Sequence, residues 1–119
     1  MSKMTVYQRA AQVWSILALA ATSRQVLTYH IVSKLTGVPN MGLGPILEPI
    51  QSYCVANHLP PLTILVVSEV TGLPSEGCGE ISPLKQIEVF SFDWIARGAP
   101  SLDALEQASR QLLPTTDLS

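Results

Sequence analysis

The stretch Thr28-Tyr29-His30-Ile31-Val32-Ser33-Lys34-Leu35-Thr36-Gly37-Val38-Pro39 reads as one short helix with its stop signal. A brief extended piece at 25–27 leads into a helix over 29–35. Gly37 and Pro39 then end it, because glycine accepts the left-handed conformation that closes a helix and proline cannot continue one. A second helix opens at Leu43-Gly44-Pro45-Ile46-Leu47 and runs toward Asn57. Pro45 stands at an early position, where its missing N–H costs nothing. Pro49 falls inside the first turns or just past them, which makes the start irregular.

Working outward, Thr5 is a plausible N-cap, and Val6, Ala10, Val13, Trp14, Leu17 and Ala21 recur at helical spacing, predicting a helix over 6–21. Ile16, Leu19 and Ala20 add apolar character on its other side, so this helix is expected to be buried on more than one face. Downstream, Pro60-Pro61 ends the helix that began at 43, and the β-branched apolar run 62–68 reads as a buried strand. The segment 69–80, with Gly72, Pro74, Gly77 and Gly79, has the turn residues of a hairpin or wing. Ser82-Pro83 looks like the cap and first position of a helix covering Ile87, Val89, Phe90 and Trp94, whose aromatics fill core. After Gly98-Ala99-Pro100, Ser101 caps a last amphipathic helix through Leu102, Leu105, Ala108, Leu112 and Leu113.

The chain has 119 residues, enough for one compact domain; residues 1–113 are expected to form it, with 114–119 a flexible tail. With 47% apolar and only 13% charged residues, it has a well-supplied core and apolar surface to spare for a partner. A net charge of −2 gives no long-range attraction to phosphate, and no lysine or arginine occurs between Leu35 and Leu84. The N-terminus, with Lys3, Arg9, an apolar run at 13–21 and the triplet Ala18-Leu19-Ala20, imitates a secretory leader. Gln12 and Ser15 interrupt that run, which is also too short to span a bilayer, so a cytoplasmic protein with no membrane contact is expected.

Candidate chemistry is sparse. Cys54 and Cys78 are expected as reduced thiols, because a chain of this size and composition needs no staple. Cys54 and His58 stand four apart, which on one helix would offer half of a zinc site; His30 and Cys78, the only further candidates, lie in separate segments, so a packed helix with an ordinary thiol is the better reading. Cys78 sits between Glu76 and Glu80, whose carboxylates raise a thiol pKa and argue against a nucleophile. No spacing indicates a catalytic triad. Neither metal nor cofactor is expected.

The segment 28–39, then Leu43-Gly44-Pro45-Ile46-Leu47, Val66-Val67 and Thr71-Gly72-Leu73, resembles the DNA-binding half of alkylguanine-DNA alkyltransferases and the alkyltransferase-like proteins. The resemblance covers roughly residues 28–77. It implies an α+β, winged-helix-like fold, a helix-turn-helix plus a small β wing, here with extra N- and C-terminal helices. Tyr29 matches the tyrosine that helps rotate a nucleotide out of the duplex; Ser33 and Gly37 match the small-residue and glycine pattern, and Leu43-Gly44 the start of the recognition helix. Where that family carries an arginine finger, this chain has Met41. Where it carries Pro-Cys-His-Arg, this chain has Pro61-Leu62-Thr63-Ile64-Leu65, with one residue of length mismatch and no cysteine, histidine or arginine. Alkyl transfer lacks its nucleophile there.

Two functions follow as expectations. In the first, a non-enzymatic winged-helix module has lost its DNA face and binds a protein or a second copy of itself through Leu102, Leu105 and Leu112. In the second, a DNA-binding protein of alkyltransferase-like type contacts duplex through Tyr29, Ser33, the amides around Gly44, and Arg24 and Lys34. Tyr29 itself can be read either as facing phosphate or as packed at a helix start.

Overall fold

A capping box opens the first helix, α1 (Val6–Thr22): the Thr5 hydroxyl accepts from the Gln8 amide at 3.1 Å and the Gln8 side chain accepts from the Thr5 amide at 2.7 Å. The computed structural model describes residues 5–73 and 83–112. Along α1, Ala10, Val13, Trp14, Leu17, Ala18, Ala20 and Ala21 are all buried, which is burial on more than one face. The helix closes with Gln25 N–H on the Ala20 carbonyl at 2.9 Å and Arg24 N–H on that of Ala21 at 3.0 Å, the paired bonds of a Schellman end. Arg24 takes the left-handed conformation there, with φ of 56°.

The extended piece that follows is β1 (Leu27–Thr28), which pairs in parallel with β2 (Val66–Val67) in the register Leu27 to Val66 and Thr28 to Val67. The Thr28 hydroxyl accepts from the Ile31 amide at 3.1 Å and so caps α2 (Tyr29–Thr36). Gly37, at φ of 80°, ends α2 as its residue order predicts. The turn beyond is held by side chains. Ser33 Oγ donates to the Val38 carbonyl at 2.5 Å, and the Thr36 hydroxyl accepts from the Val38 amide at 3.2 Å. The Arg9 guanidinium donates to the Thr36 carbonyl at 2.6 Å, tying α1 to the C-terminal end of α2. A 3-10 turn, Asn40–Gly42, leads into α3 (Leu43–Ala56). Pro49 lies buried inside α3, and its ring nitrogen has no hydrogen to offer the Pro45 carbonyl one turn earlier.

The helix α4 (Pro83–Ser91) is followed at once by the short α5 (Trp94–Arg97), and α6 (Leu102–Leu112) completes the described chain, with the Ser101 hydroxyl accepting from the Ala104 amide at 3.0 Å. Helix α1 is central and packs against α3, α5 and α6; α6 lies along α3 in the most extensive helix contact of the fold. Trp14 stands edge-on to Tyr53 at 5.5 Å and to Trp94 at 5.6 Å between ring centres, joining α1, α3 and α5. The Trp94 indole N–H, buried with its ring, donates to the Val89 carbonyl at 2.8 Å. Among the described residues the result is a mostly helical α+β fold with one two-stranded parallel sheet. Among the described residues no helix is long and apolar enough to cross a membrane.

Several expectations change. The run 62–68 is not one strand: Leu62–Leu65 is a 3-10 turn and only Val66–Val67 pairs. Residues 62–67 are all buried, and continuous burial suits a turn as well as a strand, so the apolar run could not decide between them. The helix expected through Trp94 breaks at residues 92–93, where the Asp93 carboxylate accepts from the Ala96 amide at 3.0 Å and starts α5. Within α4, Val89 is in the core and Ile87 is 57% exposed. His58 is not on α3, which ends at Ala56. Of the segment expected as a hairpin or wing, the described part is a tight turn in which Gly72 N–H donates to the Ser68 carbonyl at 2.8 Å, with φ of 72° at Gly72. The rest of the segment expected as a wing, Cys78, the expected cap Ser82, Leu113 and the expected tail at 114–119 lie outside the described residues.

Candidate functional site

The start of α2 and the residues after β2 lie side by side because the two strands are parallel and in register, so Tyr29 follows Thr28 on one strand and Ser68 follows Val67 on the other. Between them opens a shallow cleft of about 330 Å³ lined by Tyr29, Asn40, Met41, Ser68 and Glu69. Tyr29 is half-buried and packs against the core while still bordering this cleft. Met41 projects from the rim at 92% exposure. No cation lines the cleft among the described residues.

The other residues named for nucleic acid do not line it. The Ser33 hydroxyl is engaged by the Val38 carbonyl, which makes it a fastener of the turn between α2 and α3. Gly44 is exposed near the start of α3, and a Cβ built there would meet nothing within 4 Å, so the fold itself does not require glycine at that position. Lys34 lies exposed in the last turn of α2, and Arg24 is exposed at the end of α1. Of the remaining cations, Arg9 holds the Thr36 carbonyl, Arg97 donates to the Tyr53 hydroxyl at 2.9 Å, Lys85 pairs with Glu88 at 3.7 Å and Arg110 pairs with Glu106. Lys3 lies outside the described residues.

The leucines proposed for protein contact separate. Leu105 is fully buried, at 0% exposure, and belongs to the core with Ala108. It cannot be offered to a partner by the folded chain, because an amphipathic helix that packs along α3 turns its apolar stripe inward. Leu102 is 41% exposed and remains on the surface. Leu112 ends α6, and its side chain is outside the description.

Two residues that sequence reading did not single out, Glu48 and Ser109, organise a second and larger groove. It holds about 700 Å³ between the beginning of α1, the first turns of α3 and α6, with Val6, Pro45, Glu48, Leu102, Asp103 and Glu106 on its walls. Glu48 Oε2 accepts from Ser52 Oγ at 2.5 Å and Glu48 Oε1 from Ser109 Oγ at 2.6 Å. The spacing of four between Glu48 and Ser52 was a legible helical pair; the partnership with Ser109, 61 residues away, had no local signal.

Cys54 is buried, and burial raises its thiol from 9.0 to about 11 against smaller opposing effects of the Leu62 backbone hydrogen bond and the Arg97 charge. A thiol so disfavoured as thiolate is a poor nucleophile. Among the described residues no group of three or more histidine, cysteine or acidic side chains is placed to hold a metal ion. Comparison with protein-family models, with curated proteins and with solved structures finds no match for this chain.

Proposed function

We propose that this chain is a non-enzymatic module on a winged-helix-like frame, with α2 and α3 as its helix-turn-helix, that acts by protein–protein contact. The observation that carries the proposal is Met41. At the position where the resemblance to alkyltransferase-like proteins calls for an arginine, a methionine side chain stands 92% exposed on the rim of the cleft beside Tyr29. A flexible, polarizable apolar side chain in that place suits an adaptable protein surface and offers nothing to phosphate. Ile31 and Leu35, four apart on α2, add an exposed apolar face to the same helix.

Two further features support this reading. Residues 62–65, where an acceptor thiol would stand, are Leu, Thr, Ile and Leu, so no thiol is present there and the hydroxyl of Thr63 is fully buried. Helix α6 packs along α3, and the acidic Glu48 rather than a cation occupies the early turns of that helix. Duplex titration at two salt concentrations tests the proposal. It predicts weak binding with a shallow slope, since each neutralised phosphate contributes about 0.9 to the fall of log K with log salt and only Arg24 and Lys34 are uncommitted among the described residues. Tight binding with a slope of roughly −5 or steeper would establish the DNA-binding alternative instead.

A further inference from the structure

We propose that the groove between α1, α3 and α6 is a docking site for a segment of a protein partner that carries a lysine or arginine beside an apolar residue. This rests on the protein-contact reading and adds to it the chemistry of the partner. The volume of about 700 Å³ is ample for a side chain with its neighbours. The walls are of two kinds: Val6 and Leu102 present apolar side chains at 44% and 41% exposure, while Glu48, Asp103 and Glu106 are acidic and, among the described residues, no lysine or arginine lines the space.

Glu48 is the anchor of the argument. Both of its oxygens are held by serine hydroxyls, Ser52 and Ser109, that are themselves buried, so the carboxylate is fixed in direction. Hydroxyl donors orient a carboxylate but leave its charge in place, and among the described residues no cation pairs with it. Half-burial removes part of the water that would otherwise compensate that charge. Glu106 is already paired with Arg110, which among the described residues leaves Glu48 and Asp103 as the groove carboxylates with no ion-pair partner. An ammonium or guanidinium group entering between them meets complementary charge, and its aliphatic stem can lie on Val6 and Leu102. Acidic segments and nucleic acid are repelled by the same two carboxylates.

The test is a titration of the ¹⁵N-labelled chain with a short acetylated peptide of alternating lysine and leucine, followed by amide chemical shifts. The expected result is saturable movement of the Val6, Leu102 and Asp103 amides, no movement with the same peptide carrying glutamate for lysine, and affinity weakened about tenfold in Glu48→Gln. Glutamine retains the size, its oxygen accepts from one serine and its NH2 donates to the other, whose hydroxyl turns to accept; if its spectrum shows loss of fold, the exposed Asp103→Asn variant replaces it, with weakening again expected. Absence of saturation up to about 1 mM peptide, unchanged affinity in the folded variant, or shifts confined to α2 overturns the proposal. Duplex DNA added to the same labelled sample separates the two failures: saturable shifts around Tyr29 and Met41 defeat the protein-contact reading, whereas silence with both ligands defeats the groove alone.

Discussion

The Ser109 hydroxyl donates to the Glu48 carboxylate across 2.6 Å, fastening the last described helix to the third. On the same helix Leu105 and Ala108 are buried in the core, so a polar latch and an apolar stripe both hold α6. Leu105→Ala should cost about 2–5 kcal/mol in urea unfolding, the range for removing a fully buried leucine, and Leu105→Asp should abolish folding. Ser109→Ala should cost about 1 kcal/mol, since Glu48 retains Ser52. A Leu105→Asp chain that stays folded and changes only its self-association would return this helix to the surface.

Two helices end on the same device without glycine. Arg24 after α1 and His58 after α3 both have φ of 56°, and His58 N–H and Leu59 N–H reach back to the Val55 and Cys54 carbonyls at 3.2 and 2.8 Å. A side chain in the left-handed region is disfavoured by about 1–2 kcal/mol, partly offset in glycine by its greater freedom when unfolded. His58→Gly and Arg24→Gly should therefore each raise stability by about 0.5–1 kcal/mol. Loss of stability in both would mean that these ends are not Schellman caps in solution.

Cys54 gives the fold a specific alkaline weakness. Its thiol is raised to about 11 in the folded chain against 9.0 for an ordinary thiol, so the folded state holds the proton more tightly than the unfolded one. That contribution is fully present below pH 9 and is lost as pH rises toward 11. The stability difference between the wild type and Cys54→Ala should narrow or reverse across that window, and maleimide should label Cys54 at neutral pH only when denaturant is present. Rapid labelling of Cys54 in the native chain at neutral pH would contradict its burial.

The local signals in this sequence were legible wherever a side chain speaks to its own backbone. Thr5, Ser101 and Gly37 mark helix ends that the structure reproduces, and the helical periodicity from Val6 onward placed Trp14 and Leu17 in the core. What failed was burial without periodicity: Leu62 to Val67 is apolar throughout, and a 3-10 turn and a two-residue strand satisfy that pattern equally. Asp93 was a readable cap, yet the aromatic run Phe90, Phe92 and Trp94 suggested one continuous helix and masked the break. The groove was least legible, because Glu48 and Ser109 meet only after α6 folds back on α3.

Met41 offers the most direct examination of the protein-contact account, because its exposure allows a photo-crosslinking amino acid to replace it without disturbing the core. Irradiation of cells making this variant should give adducts that resist nuclease and are destroyed by protease treatment of the attached mass, with a matching variant at the exposed Gln107 giving few. Adducts at position 41 that nuclease removes would place nucleic acid, not protein, on this face.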